Sequence, residues 1–174
     1  MAAAQLSYSN DPGSLPAGSL ATSDDYVAAS LTNTTGALVP HGLGVVRGST
    51  DTNFALPSSK SNKFAGIVLR DQFGNASNAA VPQGSPGVAD KDVAAVIRQG
   101  KVVVAVEGAV AKGGQVFCRI TTHGGLTPGN FRGDADVVSS ADTAAIVAGA
   151  AFDTSTSGAG FAVVDLYGQL GALT

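Results

Sequence analysis

A pattern of short apolar steps broken by glycine occurs twice in this chain, about seventy residues apart. The first copy runs Gly36-Ala37-Leu38-Val39-Pro40-His41-Gly42-Leu43-Gly44-Val45-Val46-Arg47. The second runs Gly108-Ala109-Val110-Ala111-Lys112-Gly113-Gly114-Gln115-Val116-Phe117-Cys118-Arg119. A second pair follows, with Ala65-Gly66-Ile67-Val68-Leu69 answered by Ala148-Gly149-Ala150-Ala151-Phe152, each ending beside an aspartate, Asp71 or Asp153. Steps this short between glycines describe strands and tight turns rather than long helices, arranged in two related halves. Gly, Ala and Val dominate the composition, so coincidence is the competing origin of the match.

At 174 residues the chain fits one domain with a sizeable core. Hydrophobic residues make up 44% but aromatics only 6%, with no tryptophan, so the core rests on Val, Ala, Leu and Ile. Charged residues are 13%, about half the usual share, which suits a surface covered by neighbours. The net charge of −3 and the scattered Lys and Arg exclude a nucleic-acid backbone as partner. No apolar run approaches the ~20 residues of a membrane span, and the start of the chain lacks the basic and apolar regions of a secretory signal. Synthesis in a cytoplasmic compartment follows as an expectation.

Residues 1–25 are polar and small, with turn signals at Asp11-Pro12-Gly13 and Leu15-Pro16 and no helical or strand periodicity over their length. They predict an extended arm, disordered alone or ordered against a neighbour, ahead of a single β-rich domain over 26–174. Strands are predicted at Tyr26–Thr32, Leu38-Val39, Val45–Arg47, Phe64–Leu69, Val116–Thr121 and Gly160–Tyr167. Residues 48–62, 71–87 and 122–142 read as polar loops. Val93–Arg98 also fits a helix capped by Asp90 and ended by Gly100, but the β-branched run Lys101–Glu107 that follows favours a hairpin around Arg98-Gln99-Gly100-Lys101. Ala144–Phe152 has helical alanine content, but Gly149 and the repeat favour a strand. The fold class is all-β, a sandwich or barrel-like arrangement with long glycine-rich loops.

Catalytic constellations are sparse. His41 and His123 are the only side chains titrating near neutrality, and nothing in the spacing selects a serine and aspartate for either. Asp134 and Asp136 form a paired carboxylate that a solvated glycine-rich loop explains better than acid/base work. Two histidines and one cysteine, all far apart, give no metal-ligand spacing. Cys118, the sole cysteine, excludes an intrachain disulfide and reads as a small buried hydrophobe. Gly113-Gly114 lacks the lysine and helix of a phosphate cradle. Catalytic, cofactor and metal sites are therefore all expected to be none.

The stretch Val93–Leu166 resembles the bacteriophage structural cement proteins. The resemblance is carried by Val96-Ile97-Arg98, Gly100, Val102 and Val104, and then by Glu107–Phe117. Pro128-Gly129-Asn130-Phe131-Arg132, Ala148–Phe152 and Gly160–Leu166 follow in the same order. The first half is similar through Val39–Arg47, Leu56-Pro57 and Phe64–Val68, so the resemblance covers about residues 26–168. It implies a β-rich virion protein on the capsid exterior that binds the major capsid protein and stabilises the mature head. It also implies a homo-oligomer, a trimer or a dimer at two-fold contacts; the charge and hydropathy above add the expectation of no nucleic-acid and no membrane partner. Two other readings remain: a carbohydrate-binding or fibre-type β-module, weakened by scattered Tyr8, Tyr26 and Tyr167, and a small hydrolase using His41 or His123.

Overall fold

The computed structural model describes residues 15–22, 25–70, 87–135, 137–138, 141–167 and 173. The described residues contain strands and turns and no helix. The strands are β1 (Val27–Asn33), β2 (Val39–Pro40), β3 (Gly44–Arg47), β4 (Asn53–Ala55), β5 (Phe64–Val68), β6 (Gly87–Val88) and β7 (Val93–Val106). They continue with β8 (Gln115–Arg119), β9 (Phe131–Arg132), β10 (Val137–Val138), β11 (Ala141–Asp142), β12 (Ala144–Phe152) and β13 (Gly160–Leu166).

Nine strands form one sheet that closes on itself twice, through β1–β7 and β7–β9. The result is two five-stranded barrels that share β7. The first is built from β1, β3, β4, β5 and the N-terminal half of β7. The second is built from the C-terminal half of β7 with β8, β9, β12 and β13. Numbering strands within each barrel, the pairing order is the same. First pairs with fifth, fifth with fourth, fourth with second and second with third, all antiparallel; third returns to first in parallel.

Individual hydrogen bonds repeat as well. Thr34 N–H donates to Phe54 C=O, and Glu107 N–H donates to Phe131 C=O. Gly42 N–H donates to Val68 C=O while Val68 N–H donates to Leu43 C=O; Gly113, Phe152 and Gly114 make the same pair of bonds. Val39 bridges to Val88 just as Val110 bridges to Thr156. These bonds match Val39 with Val110, Gly42 with Gly113 and Val45 with Val116. The sequence match above pairs the correct strands but is one residue out of step, because Gly113-Gly114 offers two alignments to Gly42. On the structural register Arg47 corresponds to Cys118, and Arg119 has no basic counterpart.

The hairpin expected around Gly100 does not form. β7 is a single strand of 14 residues, about 45 Å long at strand rise. Gly100 takes φ 118° within it, with Tyr26 so close that an added Cβ would lie 2.8 Å from the Tyr26 Cβ. The glycine thus absorbs a bend where a turn was expected, and the two apolar runs continue in one line with different partners on either side. The loop expected over 48–62 contains the short strand β4, and β9, β10 and β11 interrupt 122–142. Ala144–Phe152 is the expected strand.

One apolar cluster fills the first barrel: Leu31, Val39, Val45, Phe54, Ala65, Val68, Val88 and Val96 are among its members. The other fills the second barrel with Val102, Val104, Val116, Cys118, Phe131, Phe152, Val164 and Leu166, and also takes in Val46, Phe64, Ile67 and Ile97 from the first. Strand alternation explains this: Val45 points into its own barrel and Val46 toward the neighbouring one. Gly44 permits the approach. A Cβ there would stand 2.9 Å from Cys118 Sγ and from Phe131 Cζ, and its N–H donates to Gly129 C=O at 2.8 Å.

Of the expected arm, residues 15–22 belong to this body. Gly18 N–H donates to Val103 C=O, Ala21 N–H to Lys101 C=O, and Leu20 packs against the larger core. Residues 1–14, Tyr8 and Asp11-Pro12 among them, lie outside the described residues, as do Asp71 and most of the 71–87 loop.

Candidate functional site

His41 occupies the turn between β2 and β3, half-buried, with Nδ1 3.0 Å from Leu69 C=O. That contact makes Nδ1 the protonated nitrogen and gives the ring a structural task. His123 is exposed in a turn and exchanges backbone hydrogen bonds with Leu126. Asp134 accepts from Arg132 Nε at 2.6 Å; its expected partner Asp136 lies outside the described residues. Among the described residues no cluster of three or more His, Cys, Asp or Glu could hold a metal ion.

Cys118 is fully buried between the barrels. Burial pushes its thiol well above the ordinary range; the Glu107 carboxylate adds to the shift, and a Gly129 backbone hydrogen bond partly opposes it. A thiol reagent at pH 8 is expected to leave Cys118 unmodified in the folded protein and to react fully in denaturant. Rapid labelling without denaturant would contradict the packing described for the barrel junction.

The strongest electrostatic feature was not read from the sequence. Arg119, at the end of β8, is the largest fully buried side chain, and it forms a two-pronged pair with Glu107: Nε–Oε1 2.7 Å and Nη2–Oε2 2.6 Å. Its Nη1 donates to Thr143 Oγ1 at 3.1 Å. Arg132 Nη1 donates to the same Glu107 carboxylate at 3.2 Å and Arg132 also pairs with Asp134. Glu107 directly follows β7, Arg119 ends β8, Arg132 ends β9 and Thr143 precedes β12, so one ionic cluster ties four strand ends of the second barrel. At the corresponding end of the first barrel a neutral group serves. Asn33, fully buried, donates through Nδ2 to Ala37, Val88 and Ala89 carbonyls and accepts from Thr35.

A second ion-pair group lies on the wall of the second barrel. Lys101 reaches Asp153 at 2.8 Å and Asp165 at 3.9 Å, and Lys112 reaches Asp153 at 3.4 Å. The Lys101 hydrogen bond chiefly holds the Asp153 carboxyl below its ordinary value, with partial burial opposing and the Lys101 and Lys112 charges assisting. Because the folded value is the lower one, this contribution is complete above the unfolded carboxylate range and is lost as pH falls through the folded value.

The large apolar side chains exposed among the described residues are Tyr26, Val27, Leu38, Val93, Leu126, Phe161 and Tyr167. Tyr26 packs over Gly100, and Tyr167 follows Leu166, the register partner of Gly100. Val93 and Phe161 are equivalent positions of the two barrels, each in the first two residues of a fifth strand. Tyrosine and isolated aliphatics exposed on a rigid body suit protein contact better than small-molecule chemistry.

Comparison with known proteins agrees. The family model described as "Structural cement protein (E217 gp24/Pam3 gp6)" matches residues 4–167. The chain belongs to the phage structural cement protein family. It is therefore a structural component of the phage virion and not an enzyme. Its fold is shared with a chain from the capsid of Myoviridae phage XM1, at 22% sequence identity and a TM-score of 0.64, with 90% of this chain and 92% of that chain covered. A search of curated proteins found no match. The resemblance read over about residues 26–168 is thus met, and the match reaches back to residue 4.

Proposed function

We propose that this cement protein sits on the outer surface of the major capsid protein lattice, bridges neighbouring subunits and stabilises the mature head, acting as a trimer or as a dimer at two-fold contacts. The observation that carries the reading is the family match over residues 4–167. The architecture supports it. Two barrels that share a strand, with an apolar cluster reaching into both, form a rigid span in a chain poor in charge, as a clip between subunits requires. Interfaces of about 1,600 Å² each, linked through one body, gain from effective concentration. Preference for the expanded lattice over its dissociated subunits stabilises that lattice by mass action.

The test is binding of the purified chain to mature heads lacking it, followed by heating. Saturable co-sedimentation and DNA release at a higher temperature than in bare heads are expected. Heads that bind nothing, or release DNA at an unchanged temperature, would refute the reading.

A further inference from the structure

The two barrels differ along one strand edge. In the second barrel the first strand, β7, is met by β9 only at Val106. Upstream of that point the same edge is covered by residues 18–21. Gly18 N–H donates to Val103 C=O at 2.8 Å, Val103 N–H to Ser19 C=O at 2.9 Å and Ala21 N–H to Lys101 C=O at 3.0 Å. In the first barrel the first strand, β1, is met by β4 only at Thr32 and Asn33.

Counting back from the equivalent anchors Thr34 and Glu107, Ser30 corresponds to Val103 and Ala28 to Lys101. Thr32 N–H donates to Thr52 C=O on the β4 side at 2.9 Å. Strand alternation therefore directs the N–H and C=O of Ser30 and Ala28 to that side, away from β7. Among the described residues no strand pairs with them there, and both residues are exposed. The stretch Val27-Ala28-Ala29-Ser30-Leu31 has no charge and no proline, two of the devices that keep strand edges from pairing.

We propose that the open edge of β1 receives residues 1–14 of a second copy of this chain, added as an extended strand in the way residues 18–21 are added to β7. The equivalent edge of the second barrel is already covered by the chain's own N-terminal stretch, which shows what this geometry accepts. Residues 15–22 are fixed on the body, so the length beyond them is 1–14, a reach of about 45 Å when extended. Residues 1–10 carry no charged side chain, matching an edge that carries none. Main-chain hydrogen bonds supply affinity in strand addition, and copies fixed side by side supply the high local concentration it needs. The inference rests on the proposed assembly of several copies on a lattice.

Amide exchange at Ala28 and Ser30, read by NMR over a range of protein concentrations, tests it. In the full chain, exchange is expected to slow at least about tenfold as concentration rises. The slowing is expected to vanish in a chain beginning at Leu15, and to return when a synthetic peptide of residues 1–14 is added to that chain. Ser30→Pro removes a donor at the open edge and is expected to abolish peptide-induced slowing at Ala28. Slowing that is independent of concentration (the same molecule covers its edge), slowing only on adding heads (a capsid protein covers it), or no peptide effect would each overturn the proposal. Head binding measured on the same samples separates the two readings: heads bound normally with no edge protection would sink only this one.

Discussion

Glu107→Ala is expected to lower the melting temperature by on the order of 10 °C. The carboxylate is the shared acceptor for Arg119 and Arg132, and the Arg119 side chain is 1% exposed. Removing it strands a buried guanidinium whose desolvation the Glu107 charge had offset. Breaking such a pair from one side typically costs about 3–5 kcal/mol. In a chain of this length each kcal/mol moves the midpoint by roughly 2–4 °C. Asp51→Ala is the matching control. The Asp51–Arg47 pair is 3.4 Å apart with side chains 95% and 48% exposed, so its loss is expected to cost less than about 1 kcal/mol. Thermal melts of both variants check the contrast; equal losses would show that the buried cluster is not holding the strand ends of the second barrel.

Gly66→Ala is expected to cost more than about 3 kcal/mol, or to prevent folding. Gly66 has φ 141°, in a region open essentially to glycine alone, and a Cβ there would run into the Ile97 carbonyl oxygen and lie 2.8 Å from Val96 Cγ1. Those atoms belong to β7 and cannot retreat without disturbing both barrels. The residue also sits at a register shift: Val45 pairs with Gly66 but Val46 pairs with Phe64. That shift lets Ala65 face the first barrel while Phe64 and Ile67 face the second. Gly36→Ala is the comparison, because Gly36 has φ 74° with open space around it and should lose only about 1 kcal/mol. Urea denaturation of the pair reads the difference, and similar midpoints would mean that the close approach at Gly66 is not needed.

The all-β character was legible because β-branched runs such as Lys101–Val106 and Gly160–Leu166 have strand length and strand composition. The repeat was legible at the level of strands, since glycine turns before β3 and β8 mark both copies. Its register was not, because a Gly-Gly doublet fits two ways and only the backbone hydrogen bonds of the folded chain distinguish them. The continuity of β7 was hidden by Gly100, which carries the same local signal in a bend as in a turn. β4 was hidden by its length, three residues in a polar loop around one buried side chain, Phe54. The Glu107–Arg119 pair joins residues 12 apart on different strands, a distance no local pattern encodes. The residues that carried the family resemblance lie on strands of both barrels, β3 and β5 as well as β7, β12 and β13, and on the glycine turns before β3 and β8.

The strand common to both barrels also has a mechanical meaning. A pull applied between the two ends of the molecule loads β7 along its length, so its neighbours must yield by sliding together rather than by peeling one bond at a time. With no linker between them, the two barrels cannot swivel, and the distance between their outer faces stays constant under load.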